Sequence, residues 1–138
     1  MAFDDLDKTL DRLSDSTIRA RAKHVVTEIE RVRQTVALLR AGRLPEVSPL
    51  FDASHASMRD DFEISCAELD VAVEVARTHG ALGARMTGGG FGGSAIALVP
   101  AERAAEVTSA VTQAFADTGY GALDCFEVAA GGPARRES

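Results

Sequence analysis

Two stretches of the chain hold residues whose types and spacing could do chemistry. The first is Thr87-Gly88-Gly89-Gly90-Phe91-Gly92-Gly93, with five glycines in six positions. Such a run costs backbone entropy, and is tolerated where φ must be positive or where another backbone or a ligand comes close. Its N–H groups could face a phosphate or a sugar. It could equally be a tight hairpin packed against protein, with Phe91 anchoring it in the core. It is not a Walker loop, because no Gly-Lys-Ser/Thr follows. It is not a Rossmann fingerprint either, because an apolar strand pattern rather than a helix follows the glycines.

The second stretch surrounds the end of a helix, where Ser54, His55, Arg59 and Asp60 crowd together and Ser65 stands just beyond. These side chains could line a cleft. They could as well be a solvated helix end, with Arg59 paired to a nearby acid for well under ~1 kcal/mol. His24 and His79 are singletons, and no two histidines share a short helical spacing, so no zinc site is expected. Cys66 and Cys125 read as small residues of a reducing compartment rather than as a disulfide.

The elements that must position these residues follow from periodicity. Leu6, Leu10 and Leu13 suggest a short helix or a loose leader over residues 1–15. Asp15 or Ser16 can cap a long helix whose apolar residues Ile18, Ala22, Val25, Ile29, Val32, Val36 and Leu39 share one face. Ser48-Pro49 opens a second helix, since proline at the first helical position loses no hydrogen bond. Ser65 and Glu68 have capping-box spacing at the start of a third, with Leu69, Ala72, Val73 and Ala76 as its buried stripe. A short strand at Ala84, Arg85 and Met86 leads into the glycine loop, and residues 94–99 form the next strand, stopped by Pro100. A helix over residues 101–118 turns Ala104, Val107, Val111 and Phe115 inward, and residues 125–128 read as a last strand. The first two strands are joined by too short a loop for a parallel crossover and should pair antiparallel. The fold class is α+β, a small, mainly antiparallel sheet covered by about four helices. Residues 16–132 form the domain and residues 133–138 a mobile tail.

The 138 residues fit one domain, and a hydrophobic fraction of 46% allows a packed core. A net charge of −6 argues against a nucleic-acid surface. No apolar run reaches the roughly 20 residues of a membrane span, and the acidic start is unlike a secretory signal. A cytoplasmic protein is the default.

Three segments in order carry a family resemblance. GARMTGGGFGGSAIALVP, residues 83–100, resembles the third signature motif of galactokinases, which belong to the GHMP kinases. SHASMRDDFEISCAELD, residues 54–70, is similar to the segment that precedes that motif, and RAKHVVTEIERV, residues 21–32, to the family's long helix. Ala67 stands where the family often has Pro, and Ser94 where it often has Cys. The resemblance implies the C-terminal lobe of a GHMP kinase, with a ferredoxin-like sheet arrangement. In a complete galactokinase it implies ATP- and Mg²⁺-dependent phosphorylation of galactose at the anomeric hydroxyl. By the same analogy the loop from Thr87 to Gly93 faces the sugar or phosphate, and Ser54, His55, Arg59, Asp60 and Ser65 are candidates for the cleft wall. The family's sugar signature, phosphate loop, catalytic Asp and helping Arg belong to an N-terminal lobe, and none of those patterns occurs in these residues. The implied partners are that lobe, galactose and ATP, with no cofactor held tightly by this chain alone. A lobe interface left uncovered should favour self-association. Another GHMP kinase, or a non-catalytic binding module that kept this lobe, would share these features.

Overall fold

Asp15 accepts hydrogen bonds from the backbone N–H groups of Thr17 and Ile18 at 2.8 and 3.0 Å, and so starts the longest helix where the sequence places it. The computed structural model describes residues 6–129 and 131–132. Helix α1 is Leu6–Leu10, with Leu6 and Leu10 buried, and α2 is Ser16–Arg40. A 3-10 turn, Leu44–Val47, leads into α3, Ser48–Asp60, and α4 follows as Ala67–Thr78. Strands β1, Gly83–Thr87, and β2, Ser94–Leu98, form an antiparallel hairpin in which Arg85 lies opposite Ile96 and Thr87 opposite Ser94. A further 3-10 turn, Ala101–Arg103, precedes α5, Ala104–Thr118. No described helix is long and apolar enough to cross a membrane.

The core has two parts that meet at β1 and α4. Val73 and Ala76 of α4, Ala84 of β1, and Val107 and Val111 of α5 form one, with Phe115 and Leu123 against it. Met58 of α3, Leu69 of α4 and Met86 of β1 form the other, closed by Ile64 and Cys66. Alternation along β1 sends Ala84 and Met86 inward, where they are 1% and 0% exposed. The stripes expected on α4 and α5 therefore do the packing.

Helix α2 does something different. Its apolar face points away from the domain: Ile18, Val25, Ile29, Val32, Val36 and Leu39 are all between 40% and 56% exposed. The face turned toward α3 is polar, with His24 buried and Thr27, Glu28 and Arg31 half-buried. The helix is inverted relative to an ordinary surface helix, which buries its apolar side.

Three local expectations are corrected. Residues 125–128 form no strand: they run exposed, with Phe126 79% and Val128 76% accessible, and the sheet among the described residues has two strands. High β-propensity makes a strand only where the segment lies along a sheet edge, and this one follows Leu123, which packs against the α4–α5 core, and joins neither strand. Phe91 does not anchor the loop, being 76% exposed. Ile64 occupies the space beneath the loop instead. Helix α4 begins with Cys66 as its cap residue, not with the Ser65–Glu68 box, because the Ser65 hydroxyl is bonded to Asp70. The expected mobile tail, residues 133–138, lies outside the described residues, as does the beginning of the leader.

Candidate functional site

The glycine loop leaves β1 at Thr87 and returns at Ser94, and one contact fixes its height. The Phe91 N–H donates to the Ile64 carbonyl at 2.7 Å. At Gly90, φ is +86°, and an added Cβ would sit 2.5 Å from the Ile64 oxygen and 2.7 Å from its Cβ. Only glycine satisfies both demands. Gly89 differs: its φ is not positive and an added Cβ would meet nothing within 4 Å. The fold requires glycine at Gly90 and makes no such demand at Gly89. Gly88, Gly92 and Gly93 also open onto free space, with positive φ. The loop is a tethered rim, with its far side unobstructed.

Ile64 belongs to residues 61–66, which join α3 to α4 and bring a second set of polar groups to the same end of the domain. Arg21 of α2 binds the Asp61 carbonyl and the Glu63 carboxylate, and its guanidinium lies 5.8 Å from the Phe62 ring centre. Lys23 pairs with Asp61 at 2.9 Å. His24 stacks on Phe62 with ring centres 4.6 Å apart. The Ser57 hydroxyl donates to Asp61 at 3.0 Å, so it receives the Nδ1 proton of His24 at the same distance. Burial lowers the His24 pKa below the usual imidazole range, against the opposing pull of Glu28 and Asp61. His24, Val25, Glu28, Ile29, Val32 and Phe62 are among the residues lining a shallow, mostly apolar groove of about 460 Å³.

The proposed cleft residues separate into two groups. Ser54, 2% exposed, donates to Glu28 Oε1 at 2.6 Å. Glu28 also receives Arg31 at 2.8 Å and Arg85 of β1 at 3.1 Å. Burial would raise the Glu28 pKa, but the bonds from Ser54 and Arg31 and the Arg85 charge outweigh it and hold the carboxyl below its ordinary value. His55 is 4% exposed. Its Nδ1 accepts the Met86 N–H at 3.2 Å, and its Nε2 lies 3.1 Å from Asp70 Oδ1, off the line of a hydrogen bond. Ser65 donates to the same Asp70 oxygen at 2.6 Å. Ser54 and His55 therefore face the interior, while half-buried Ser65 meets Asp70 at its margin. Arg59 and Asp60 stand apart, exposed and paired with each other at 2.7 Å.

Sequence reasoning missed Glu28, Arg21 and Ile64. Glu28 could have been suspected as an acid beside an apolar stripe. Nothing in the sequence marked the carbonyl of Ile64, because a backbone contact between distant segments leaves no side-chain signal.

Residues 35–117 match the family model described as GHMP kinases C terminal. The chain is 52% identical to the galactokinase of Streptomyces coelicolor over 97% of its own length and 35% of that protein. It is 47% identical to the galactokinase of Mycobacterium tuberculosis H37Rv over 80% of its length and 31% of that protein. The solved Lactococcus lactis galactokinase, crystallised with galactose, superposes with a TM-score of 0.81 at 40% identity, covering 87% of this chain and 31% of that one. The Leishmania major mevalonate kinase bound to R-mevalonate gives 0.57 at 28% identity, covering 83% and 32%. The chain thus spans about a third of the length of the curated relatives it matches.

Two predictions follow from this geometry. Gly90→Ala should cost about 2–4 kcal/mol in urea unfolding, from forced φ and overlap with Ile64, whereas Gly89→Ala should change stability by well under ~1 kcal/mol. Glu28→Ala should cost about 2 kcal/mol by leaving the Ser54 hydroxyl and Arg85 without their acceptor, and Glu28→Gln about half as much. Because the folded carboxyl is held below its ordinary pKa, this contribution is complete above the usual carboxylate range and is lost as pH falls through the folded pKa. Unfolding midpoints across that range, compared with Glu28→Gln, measure it.

Proposed function

Because the chain belongs to the GHMP kinase family, as its C-terminal domain, we propose that it forms the second lobe of a galactokinase, the enzyme that moves the γ-phosphoryl group of ATP to the anomeric hydroxyl of galactose. The observation that carries this reading is the contrast between Gly90 and Gly89: the domain clamps the loop at one glycine and leaves the next bare and outward. A loop that merely closed a hairpin would not need its free side kept clear. A loop whose main chain meets a sugar or a phosphate would. Thr87, Gly88, Gly89, Gly90, Phe91, Gly92 and Gly93 then form the cleft rim contributed by this lobe. Ser54, His55 and Ser65 support it from behind, while Arg59 and Asp60 mark its solvent side.

The chemistry itself belongs to the companion lobe. Among the described residues no three His, Cys, Asp or Glu side chains gather where they could hold a metal ion. No step through Mg²⁺ is assigned to this chain. ATP, Mg²⁺ and the base that accepts the sugar proton enter with the other lobe, where positioning and charge stabilisation at the phosphates take place. The inverted helix α2 supports the same arrangement. Its outward row of Val25, Ile29, Val32 and Val36 suits a surface that the companion lobe covers. A cytoplasmic location accords with this role.

The purified 138-residue chain, given ATP, Mg²⁺ and galactose, should produce no galactose 1-phosphate in a coupled ADP assay, and measurable turnover would refute the division of labour. Mixed with the first lobe of the Streptomyces coelicolor galactokinase, the chain should bind it and restore turnover. Gly89→Val should then lower turnover without lowering stability, and unchanged turnover would remove the loop from the cleft. Val25→Glu with Ile29→Glu should weaken lobe binding by tenfold or more, on the order of the apolar area lost. The unmodified chain alone should self-associate at high concentration, and a clean monomer by light scattering would count against an uncovered interface.

A further inference from the structure

His55 lies directly behind the strand that delivers the glycine loop, and its two ring nitrogens have opposite duties. Nδ1 accepts the Met86 N–H at 3.2 Å, so Nδ1 carries no proton in the observed arrangement. The neutral ring then bears its proton on Nε2, facing Asp70 at 3.1 Å. Met86 is wholly buried, pairs with Ala95 across the hairpin, and precedes Thr87 and the first glycine. Its N–H points away from β2, and His55 is the acceptor it has there. Behind the ring, Asp70 also receives the Ser65 hydroxyl, and Ser65 adjoins Ile64, whose carbonyl holds Phe91 on the loop's far side. One side-chain cluster thus supports the loop at its root through Met86, and the adjoining segment supports it at its crown through Ile64.

We propose that His55 is the positioning residue of the glycine loop, and that adding a proton to its Nδ1 releases the loop from that position. The step is simple in its bookkeeping: one proton from solvent occupies the lone pair that accepted the Met86 N–H. Two N–H groups then face each other, and either the ring or the strand must move.

The charges around the ring set where this happens. From α4, Asp70 favours the protonated ring and Arg77, itself paired with Asp52 of α3, opposes it. From α3, Arg59 opposes it, with its charge partly met by Asp60. From β1 comes the Met86 N–H, and from the segment before α4 the Ser65 hydroxyl, neither charged. Burial is the largest influence and also opposes the cation, so the folded ring titrates below the usual imidazole range. The support is therefore complete above that range and is lost as pH falls through the folded value.

The test is pH-dependent amide exchange and ¹⁵N spectroscopy on the 138-residue chain, from about pH 8 down through the usual imidazole range and on below it as far as the fold persists, because burial places the midpoint beneath that range. In the native chain the Met86 and loop amide signals should follow the midpoint of the His55 ring. Protection of Met86 should fall by roughly tenfold or more across it, as expected for one lost buried hydrogen bond. His55→Asn keeps an uncharged acceptor in the place of Nδ1 and should hold Met86 protected at every pH. Asp70→Asn should move the midpoint to lower pH, because it removes the carboxylate that favours the cation. His24→Gln, in the neighbouring cluster, should leave it unmoved. A Met86 amide indifferent to pH in the native chain, or one that loses protection equally in His55→Asn, would overturn the proposal.

Discussion

One carboxylate on α2, that of Glu28, joins three elements of the domain. Glu28 takes hydrogen bonds from Ser54 on α3, Arg85 on β1 and Arg31 on its own helix. Three elements converge on one side chain, and a half-buried acid with three donors is worth having only if all three stay in place. This constraint explains the orientation of α2. To bring Glu28, His24 and Thr27 inward, the helix must carry Val25, Ile29, Val32 and Val36 outward. An apolar inner face would have packed more simply, but it would have left the outer side polar and unsuited to a second apolar contact. The polar seam gives up some burial on one side of α2 and keeps the other side for association.

The same division between held and free runs through the glycine loop. Ile64 and Phe91 share a backbone bond, Gly90 permits the close approach, and Met86 ties the root of the loop to α3. These restraints all lie on the domain side. On the other side Gly88, Gly89, Gly92 and Gly93 meet no protein atom at the Cβ position. A surface with fixed backing and a bare front is preorganised, so little ordering cost remains when a second body arrives.

Much of the fold was legible in the sequence because it depends on local rules. Asp15 caps α2, Pro49 lies in the first turn of α3, and the short link between β1 and β2 forces an antiparallel hairpin. The apolar spacings on α4 and α5 identified the residues that pack. Periodicity located the row on α2 equally well but could not tell which way it faces, since a helix has the same pattern whether its partner is its own domain or another body. Residues 125–128 misled for a related reason: Phe126 and Val128 have the composition of a strand, while the pairing edge that would make them one is a tertiary matter. At the site, the glycines were conspicuous, but their unequal roles were not. Gly89 and Gly90 are identical letters, and only the position of Ile64 distinguishes them.

The outer side of β2 has a consequence for handling the molecule. Ser94 to Ala97 are exposed, the strand carries no charged side chain, and among the described residues its single ladder is with β1. Proteins usually guard such a margin with lysine, a bulge or a cover. Here the safeguard is brevity: five residues, ended by Val99 and then Pro100, whose missing N–H stops any added ladder from lengthening past the strand. A neighbouring strand could therefore extend the sheet along this margin only over the length of β2.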